Sequence, residues 1–514
     1  MKSAALFPVL VLTFAAAVQA DVSLPSVLSS GMVLQRDQAV PVWGRAAAGE
    51  KVTVTFSGQT RETAADAHGQ WQVKLDPLPV NATGQPLIVQ GNNKIEVTDV
   101  LVGEVWLGSG QSNMEWPVSR TENGAAAAAE ANFPQIRLFQ VPLTSSPELQ
   151  FSCNAAWKPC TPESAAPFSA VLYFMGRELH RELGVPIGLI NSSWGGSRIE
   201  PWTPVEGFAM VPSQRDLSRS IRAATPGTGE FQHSMKAWLA NVEQWAKDAR
   251  AGLDKGLAPA PIPDKPGPVA QGFQGVVGLY NAMIHPLVPF GLKGAIWYQG
   301  ESNLGEGMAY LERKKALIGG WRKVWNQGNF PFYTVQLAPF NYGNQPRDQA
   351  RQGTALPEIW EAQNATLTEI PRTGVAVIND IGDFKDIHPA NKKEVGRRLS
   401  LIAMATEYGR TALVHSGPVF AGATRENGKL RVKFTSTGSG LASRDGKALT
   451  EFEIAGPEGK FQPAEAAIEG HEVLVFSPAV TDPRQVRHAW NQVPEPNLIN
   501  KEGLPASAFR THWK

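Results

Sequence analysis

Alternating apolar and polar positions predict a small β-domain near the start of the chain, from residue 21 to about residue 100. The segments AVPVWGRA, KVTVTFSGQT, GQWQVKLDPL and NKIEVTDVLV follow this alternation and are separated by Gly, Asn and Pro. A period of two is the pattern of strands that bury one face. Several short strands at this spacing are typical of a β-sandwich. No group of residues suited to catalysis falls in this stretch.

The pattern changes near residue 101, where nearly continuous apolar runs each end in a Gly-rich polar loop. Four segments have this form: VLVGEVWLGSG, VPIGLINSSWGG, LKGAIWYQGESN and RTGVAVINDIGD. Apolar runs of this length indicate strands buried on both faces, as in a parallel sheet. Ligands of such sheets bind where loops leave the carboxyl ends of the strands. Each polar loop is therefore expected at the binding edge of the sheet.

A helix is predicted between the first two of these strands, in FSAVLYFMGRELHRELG. Its apolar face is formed by Leu172, Met175, Leu179 and Leu183. Gly184 and Pro186 are residues that end helices. Strands that alternate with helices predict a three-layer α/β domain over residues 101–410.

Residues 205–270 interrupt this alternation and are interpreted as an insertion. They contain one predicted helix, SMKAWLANVEQWAKDARAGL, followed by the Pro-rich segment APAPIPDKPGP. The insertion either borders the binding edge or forms an exposed spacer. From residue 411 to 514, strand-like alternation returns in KLRVKFTSTG, TEFEIAGPEG and HEVLVFSPAV, which predicts a second β-sandwich-like module.

Residues 1–20 have the pattern of a secretory signal peptide. Lys2 supplies the positive charge, AALFPVLVLTFAAAV is an apolar core too short for a stable membrane span, and VQA is a small-residue cleavage site. The mature chain is expected to begin at Asp21. No later apolar run is long enough to cross a bilayer, so we expect an exported protein that is periplasmic or secreted, without membrane insertion.

Composition narrows the classes of partner. With 48 basic and 47 acidic residues, the net charge is +1. The chain therefore lacks the excess of positive charge that is typical of proteins that bind nucleic acid. The chain has 15 Trp residues but only 7 Tyr. Most of the Trp side chains are expected to pack in the core, and some are expected to stack on sugar rings. The two cysteines, Cys153 and Cys160, have no nearby His cluster and do not indicate zinc. A disulfide and two free thiols both remain open.

A serine nucleophile needs a base, and His388 is the best candidate among nine histidines. The other eight are assigned to surface, structural or C-terminal positions: His68, His180, His233, His285, His415, His471, His488 and His512. His388, in DFKDIHPANKKEVGRRL, follows an apolar strand and precedes a predicted helix. Its ordinary pKa of about 6.5 suits a general base at the edge of the sheet.

The nucleophile candidate is Ser112, in GSGQSNMEW directly after the first buried strand. Met114 excludes the Gly-x-Ser-x-Gly elbow, and on local residues alone nucleophile and ordinary turn are equal alternatives. Oxyanion donors are backbone N–H groups and amide side chains. SSWGGSRIEPW and WYQGESN supply such donors at two further strand ends. They are Gly195, Gly196, Gln299, Gly300 and Asn303.

The ordered blocks GQSNM, WGG, WYQGESN and DIHP resemble those of the sialate O-acetylesterase family, which belongs to the SGNH, or GDSL-like, hydrolases. The resemblance covers nearly the whole mature chain and includes GMVLQRDQAVPVWG, NKKEVGRRL and NLINKEGLPASAFRT. It implies a flavodoxin-like, SGNH-type hydrolase domain with a parallel sheet, and the activity of a carboxylic ester hydrolase. The implied reaction removes O-acetyl groups from carbohydrates, without a metal or cofactor.

The resemblance also implies roles. Ser112 is the nucleophile and an oxyanion donor, His388 is the base, and Gly195 or Gly196 is the second-block donor. The third block departs from the superfamily pattern Gly-x-Asn-Asp, because Gly300 is followed by Glu301, Ser302 and Asn303. Gln299 is therefore the first candidate for the amide donor, and Asn303 is the second.

The acid that orients His388 is less well defined by the resemblance. Superfamily members often carry Asp three residues before the histidine, and this chain has Lys385 there. Asp386 is the nearest candidate, with Asp383 and Asp380 as alternatives. A backbone carbonyl in a Ser–His pair is a further possibility.

The expected partner is an acetylated carbohydrate. The family name indicates sialic acid, whereas bacterial members look suited to acetylated xyloglucan or xylan. Residues in or beside the blocks are predicted to contact the substrate: Trp116, Trp194, Arg198, Trp202 and Glu301. Two competing hypotheses are an inactive carbohydrate-binding protein and a lipase or thioesterase that prefers long acyl chains.

Overall fold

The computed structural model describes residues 21–267, 272–344 and 353–511. The predicted signal peptide and His512 lie outside these ranges. The first strands alternate in burial as expected, with β5 placing every second side chain in the core. They are β1 (Val33–Gln35), β2 (Val40–Arg45), β3 (Lys51–Phe56), β4 (Gln59–Ala64), β5 (Gln70–Leu75) and β6 (Asn81–Gln90).

The next strand, β7 (Lys94–Gly110), joins the N-terminal strands to the central sheet. Its first half pairs antiparallel with β6, and residues 101–103 pair parallel with β1. From Glu104 onward, the same strand is a central strand of the large parallel sheet. The domain boundary predicted near residue 100 therefore lies inside one continuous strand.

The central sheet has the strand order β13-β12-β11-β7-β10-β8-β9. All neighbours pair in parallel except β9, which runs antiparallel to β8 at the edge. The three further apolar runs predicted from sequence are strands of this sheet, and β10 and β11 are buried along their whole length. The bounds are β8 (Phe133–Gln140), β9 (Trp157–Cys160), β10 (Ile187–Ser193), β11 (Gly294–Tyr298), β12 (Phe332–Val335) and β13 (Thr373–Ala376). The result is a mixed α/β fold.

Helices connect these strands. The predicted helix after residue 169 is α4, which ends at Gly184 with φ of 64°. It packs closely on α10, because a Cβ at Gly396 would lie 2.6 Å from Phe174 Cβ. The helices are α1 (Ser112–Glu115), α2 (Gly124–Ala129), α3 (Pro162–Ala165), α4 (Ala170–Leu183), α5 (Val205–Met210), α6 (Arg215–Ala224), α7 (Gly229–Leu253), α8 (Ala309–Trp325), α9 (Ala355–Glu369) and α10 (Lys392–Glu407). None of the described helices is both long and apolar enough to span a membrane.

The interrupting segment contains three helices, α5 to α7, of which the sequence predicted one. Its long helix α7 buries no residue. The Pro-rich segment folds back on α7, where the indole N–H groups of Trp238 and Trp245 donate to Pro263 O and Ala260 O. The helix itself is thus largely exposed to solvent.

The last part of the chain is built from strands around a separate apolar cluster that includes Val432, Ile454, Val473 and Val486. Two four-stranded sheets have the orders β14-β15-β20-β19 and β18-β17-β21-β23. The bounds are β14 (Val419–Glu426), β15 (Lys429–Thr435), β16 (Leu441–Ser443), β17 (Phe452–Ala455), β18 (Gln462–Pro463), β19 (Glu465–Glu469), β20 (Glu472–Phe476), β21 (Gln485–His488), β22 (Leu498–Asn500) and β23 (Phe509–Arg510).

The two cysteines are separate thiols, so the disulfide alternative is wrong. Cys160 is buried on β9, whereas Cys153 lies half-buried with its Sγ 3.3 Å from Ser26 Oγ. Burial raises the pKa of both thiols, that of Cys160 to about 12. Across the described residues, no group of three or more His, Cys, Asp or Glu side chains is arranged to hold a metal ion.

Candidate active site

Ser112 lies in the turn that leaves the carboxyl end of β7, in the middle of the parallel sheet. The turn depends on Gly110, whose φ is 137° and whose Cβ, if present, would lie 2.2 Å from Tyr298 O. The N–H of Gln111 donates to the same carbonyl at 3.0 Å. Only glycine allows β7 and β11 to approach this closely, so Gly110 fixes where the chain presents Ser112.

His388 meets Ser112 from the loop between β13 and α10. The imidazole Nε2 lies 2.8 Å from Ser112 Oγ, although 276 positions separate the residues in sequence. This distance is within the range for direct proton transfer. The structure thus brings together the two residues predicted to be nucleophile and base.

The imidazole of His388 is stacked on Trp116. Their ring centroids are 4.8 Å apart and their planes differ by 16°. The Arg120 guanidinium lies over the same indole, 3.9 Å from its centroid, and Arg120 O accepts the indole N–H at 3.1 Å. Both the imidazole and the guanidinium therefore pack on the Trp116 ring.

Of the three acid candidates, only Asp386 comes near His388. Its Oδ1 is 3.4 Å from His388 Nδ1 and accepts the backbone N–H of His388 at 2.8 Å. Asp380 is instead buried in a two-point ion pair with Arg398, at 2.7 and 2.8 Å. Asp383 accepts the backbone N–H of Lys385. The segment turns rather than extends at Asp386, which is why the side chain reaches a neighbour two residues away.

The charge state of His388 follows from its surroundings. Burial lowers the pKa of the imidazole, and the positive charges of Lys392 and Arg120 lower it further. Asp386 acts in the opposite direction. The balance favours the neutral imidazole, which is the form that can accept a proton from Ser112.

The Trp-Gly-Gly turn after β10 lies against Ser112. A Cβ on Gly195 would be 3.3 Å from Ser112 Cβ. The N–H of Gly195 already donates to Glu115 Oε2 at 2.6 Å. Within the described residues, the N–H groups of Ser112 and Gly196 donate to no protein acceptor. Of the two second-block glycines, Gly196 is therefore the one with a free donor.

The prediction that Gln299 and Asn303 donate to the oxyanion is corrected by their hydrogen bonds. Gln299 is fully buried, and its Nε2 donates to Ser197 O and Asn303 Oδ1, at 3.1 and 2.7 Å. Asn303 Nδ2 donates to Glu200 and Glu306, each at 3.1 Å. Both amides use all their N–H groups inside the protein, so they hold the loop together instead of facing Ser112.

Two of the predicted substrate contacts, Trp202 and Glu301, are also corrected. Trp202 is fully buried, donates to Ser197 Oγ and packs edge-on against Trp297. Glu301 is 5% exposed and accepts the Asn113 amide at 2.7 Å, so it faces inward. Arg198 is paired with Glu200 and Glu306 but stays 39% exposed, so its contact with a substrate remains a prediction.

Trp194 does border the site, and it stacks on a residue that the sequence did not single out. Its ring and that of Phe273 are 5.4 Å apart with planes 20° from parallel. The neighbouring Gln274 binds the Gly turn, donating to Gly196 O at 2.8 Å and accepting the N–H of Arg198 at 3.1 Å. The residues after the insertion therefore border the site, although no motif marks them.

Comparisons with known proteins agree with the resemblance drawn from sequence. No protein-family profile matches the chain. Sialate O-acetylesterase of Rattus norvegicus is 32% identical over 434 residues, which cover 77% of this chain and 75% of the rat protein. The enzyme of that name from Homo sapiens is 32% identical over 433 residues, covering 77% and 72% of the two chains. The crystal structure of a carbohydrate acetylesterase from Xanthomonas citri is 39% identical and covers 96% of this chain and 99% of its own, with a TM-score of 0.78.

Proposed function

Because this chain belongs to the sialate O-acetylesterase family and is a carboxylic ester hydrolase, we propose that it removes O-acetyl groups from carbohydrates through an acetyl-enzyme on Ser112. The observation that carries this proposal is the 2.8 Å contact between Ser112 Oγ and His388 Nε2. A serine hydroxyl becomes an effective nucleophile when a base stands within hydrogen-bond reach.

The proposed reaction has two halves. His388 takes the proton of Ser112 as Oγ attacks the acetyl carbonyl, and the N–H groups of Ser112 and Gly196 stabilise the oxyanion. The C–O bond to the sugar then breaks, and the sugar hydroxyl leaves with the proton from His388. Water, activated by His388, attacks the acetyl-enzyme and releases acetate and free Ser112. Asp386 holds the proton on Nδ1, which leaves Nε2 free to accept.

The two substrate hypotheses differ in charge. An enzyme that binds sialic acid needs a cationic side chain to pair with the carboxylate of the substrate. Arg198 already has two carboxylate partners, Glu200 and Glu306, which favours a neutral acetylated polysaccharide such as xyloglucan or xylan. Two other basic groups lie beside the base: Arg120, stacked on Trp116, and the buried Lys392.

The test is acetate release from three substrate classes at equal acetyl concentration: O-acetylated sialic acids, acetylated xylan and acetylated xyloglucan fragments. We expect the highest kcat/KM on a neutral polysaccharide. A clear preference for sialic acid would overturn this assignment while leaving the esterase mechanism in place.

Two competing functions make different predictions. An inactive carbohydrate-binding protein would release no acetate from any ester, and the intact Ser112–His388 contact argues against it. A lipase or thioesterase would prefer long acyl chains. A series of p-nitrophenyl esters from acetyl to octanoyl separates these, and we expect activity to fall as the chain lengthens.

We further propose that the central sheet and its helices, residues 101–410, form an SGNH-type hydrolase domain between two β-sandwich-like modules, residues 21–100 and 411–514. Export of the chain, with removal of residues 1–20, belongs to the same proposal. N-terminal sequencing of protein from the periplasm or medium tests it, with Asp21 as the expected first residue.

A further inference from the structure

The side chain of Asn113, next to the nucleophile, uses every polar atom in contacts with the protein. Its Oδ1 accepts a hydrogen bond from Lys392 Nζ. Its Nδ2 donates to Glu301 Oε1 at 2.7 Å and to the backbone carbonyl of Ile387 at 3.0 Å. The Lys392 amine therefore faces the amide oxygen, and two acceptor oxygens face the amide nitrogen, which allows only one orientation of the amide.

This group of three side chains, the Asn113 cluster, joins the three segments that carry the site. Asn113 follows Ser112, Glu301 follows the Gly300 turn, and Lys392 begins α10 just after His388. Ile387, which accepts the second amide hydrogen, directly precedes His388. The cluster thus links the backbone beside the nucleophile to the backbone beside the base.

Burial makes the cluster unusual. Asn113 and Lys392 are 0% exposed and Glu301 is 5% exposed, and Glu301 Oε2 has no hydrogen-bond partner among the described residues. Buried opposite charges seldom add net stability, because removing them from water costs about as much as their attraction returns. Stability alone therefore does not account for a charge pair at this place.

We propose that Lys392 and Glu301 are positioning residues that, through the Asn113 amide, hold Ser112 and His388 at the distance and angle of proton transfer. This inference rests on the proposed esterase function. Neither residue touches the reacting atoms. Their effect is exerted on the Ser112 turn and the His388 loop, and a displacement of about 1 Å at such a pair costs about 100-fold in rate.

The charge of Lys392 has a second, measurable consequence. The charged groups around His388 are Asp386 on its own loop, Lys392 on α10 and Arg120 beside Trp116. Burial lowers the pKa of Lys392 to about 7, against the attraction of Glu301 and Asp386, so Lys392 is charged at the acidic pH where His388 takes up a proton. Removing this charge raises the pKa of His388. The acidic limb of the rate profile then moves to higher pH.

The experiment measures kcat, KM and the pH dependence of kcat/KM on p-nitrophenyl acetate for wild type, Lys392→Met and the control Lys393→Met. Lys393 is exposed on the same helix. For Lys392→Met we expect kcat to fall about 100-fold with KM little changed. The acidic limb should move up by about 0.5 to 1 pH unit. Lys393→Met should leave kcat, KM and the profile as in wild type.

Lys392→Met leaves Glu301 without the nearby lysine and could fold poorly. Two further variants test the inference in that case. Asn113→Asp keeps the size of the side chain but loses both N–H donors, and it should lower kcat about as much as Lys392→Met. In Glu301→Gln/Lys392→Met both ionisable groups are gone. Its fold loss in kcat should be smaller than the product of the losses measured for Glu301→Gln and Lys392→Met alone. A folded Lys392→Met enzyme with wild-type kcat and pH profile overturns the inference alone. A wild-type protein that releases no acetate overturns the proposed function as well.

Discussion

Asp386 contacts His388 twice, with Oδ1 3.4 Å from the imidazole Nδ1 and 2.8 Å from the backbone nitrogen. The Asp386 side chain is 54% exposed, so water competes for its carboxylate. A buried, directly bonded carboxylate in this role is worth about 10⁴-fold in kcat. A half-exposed one at this longer distance should contribute less.

We therefore predict that Asp386→Asn lowers kcat about 10- to 100-fold, well short of a buried triad acid. Steady-state kinetics on an acetyl ester measure this loss. Asp383→Asn is the matched control on the same loop, because among the described residues Asp383 binds only the backbone of Lys385. Equal losses in the two variants would contradict an orienting role for Asp386.

Trp116 covers one face of the imidazole, and its removal should act on the base more than on substrate binding. Burial is the main reason that the pKa of His388 is lowered. In Trp116→Ala the imidazole is hydrated, its pKa rises, and the acidic limb of kcat/KM moves to higher pH. Trp245→Ala on the exposed helix α7 is the control. If the pH profile of kcat/KM is unchanged in Trp116→Ala, stacking on Trp116 does not control the pKa of His388.

Phe273 stacks on Trp194 at the border of the site, and we expect it to shape the substrate wall. Phe273→Ala removes an apolar ring outside the reacting group, so KM for an acetylated oligosaccharide should rise about tenfold. Turnover at saturation should change little. Phe461→Ala, in the C-terminal strands, is the control. A fall in kcat with unchanged KM would instead place Phe273 in support of the catalytic turn.

Lys314 is a buried lysine in α8 without a carboxylate partner among the described residues. Its Nζ donates to Thr334 Oγ1 at 2.7 Å, and burial holds its pKa well below the ordinary value of 10.5. The unfolded chain binds this proton more readily, so stability is lost as pH falls below about 10.5. Lys314→Met should therefore raise the free energy of unfolding at pH 7 by about 1–3 kcal/mol.

This gain should shrink as pH approaches 10.5. Urea denaturation at several pH values measures it, with the exposed Lys323→Met on the same helix as the control. If Lys314→Met raised the free energy of unfolding equally at pH 7 and above pH 10, the gain could not come from the lowered pKa of Lys314.

The buried strands that carry the site were predictable because a strand buried on both faces is a continuous apolar run. β10, β11 and the second half of β7 have this form. The boundary expected near residue 100 has a physical explanation too. The pattern changes there because one strand, β7, passes from a half-exposed to a fully buried sheet. The sequence alone locates this change in burial but does not show that one continuous strand spans it.

The residues of the polar loops were harder to assign, because loops have no periodicity that separates the face toward the cleft from the face toward the core. His388 could be chosen by its place between a buried strand and a helix, whereas Ser112 was assigned through the resemblance to the esterase blocks. Gln299, Trp202 and Glu301 lie in the same blocks but point inward, where they bind other parts of the loops. Phe273 belongs to no motif, and only the folded chain brings it to Trp194.

Acetate release by Ser112→Ala tests the central claim most directly. The control is Ser119→Ala, an exposed serine in the turn that follows. Both variants should unfold at the wild-type temperature, since neither change removes buried apolar surface. We expect Ser119→Ala to match wild type and Ser112→Ala to lose at least about 10³-fold in kcat on an acetylated carbohydrate. Wild-type turnover by folded Ser112→Ala would contradict the acetyl-enzyme on Ser112.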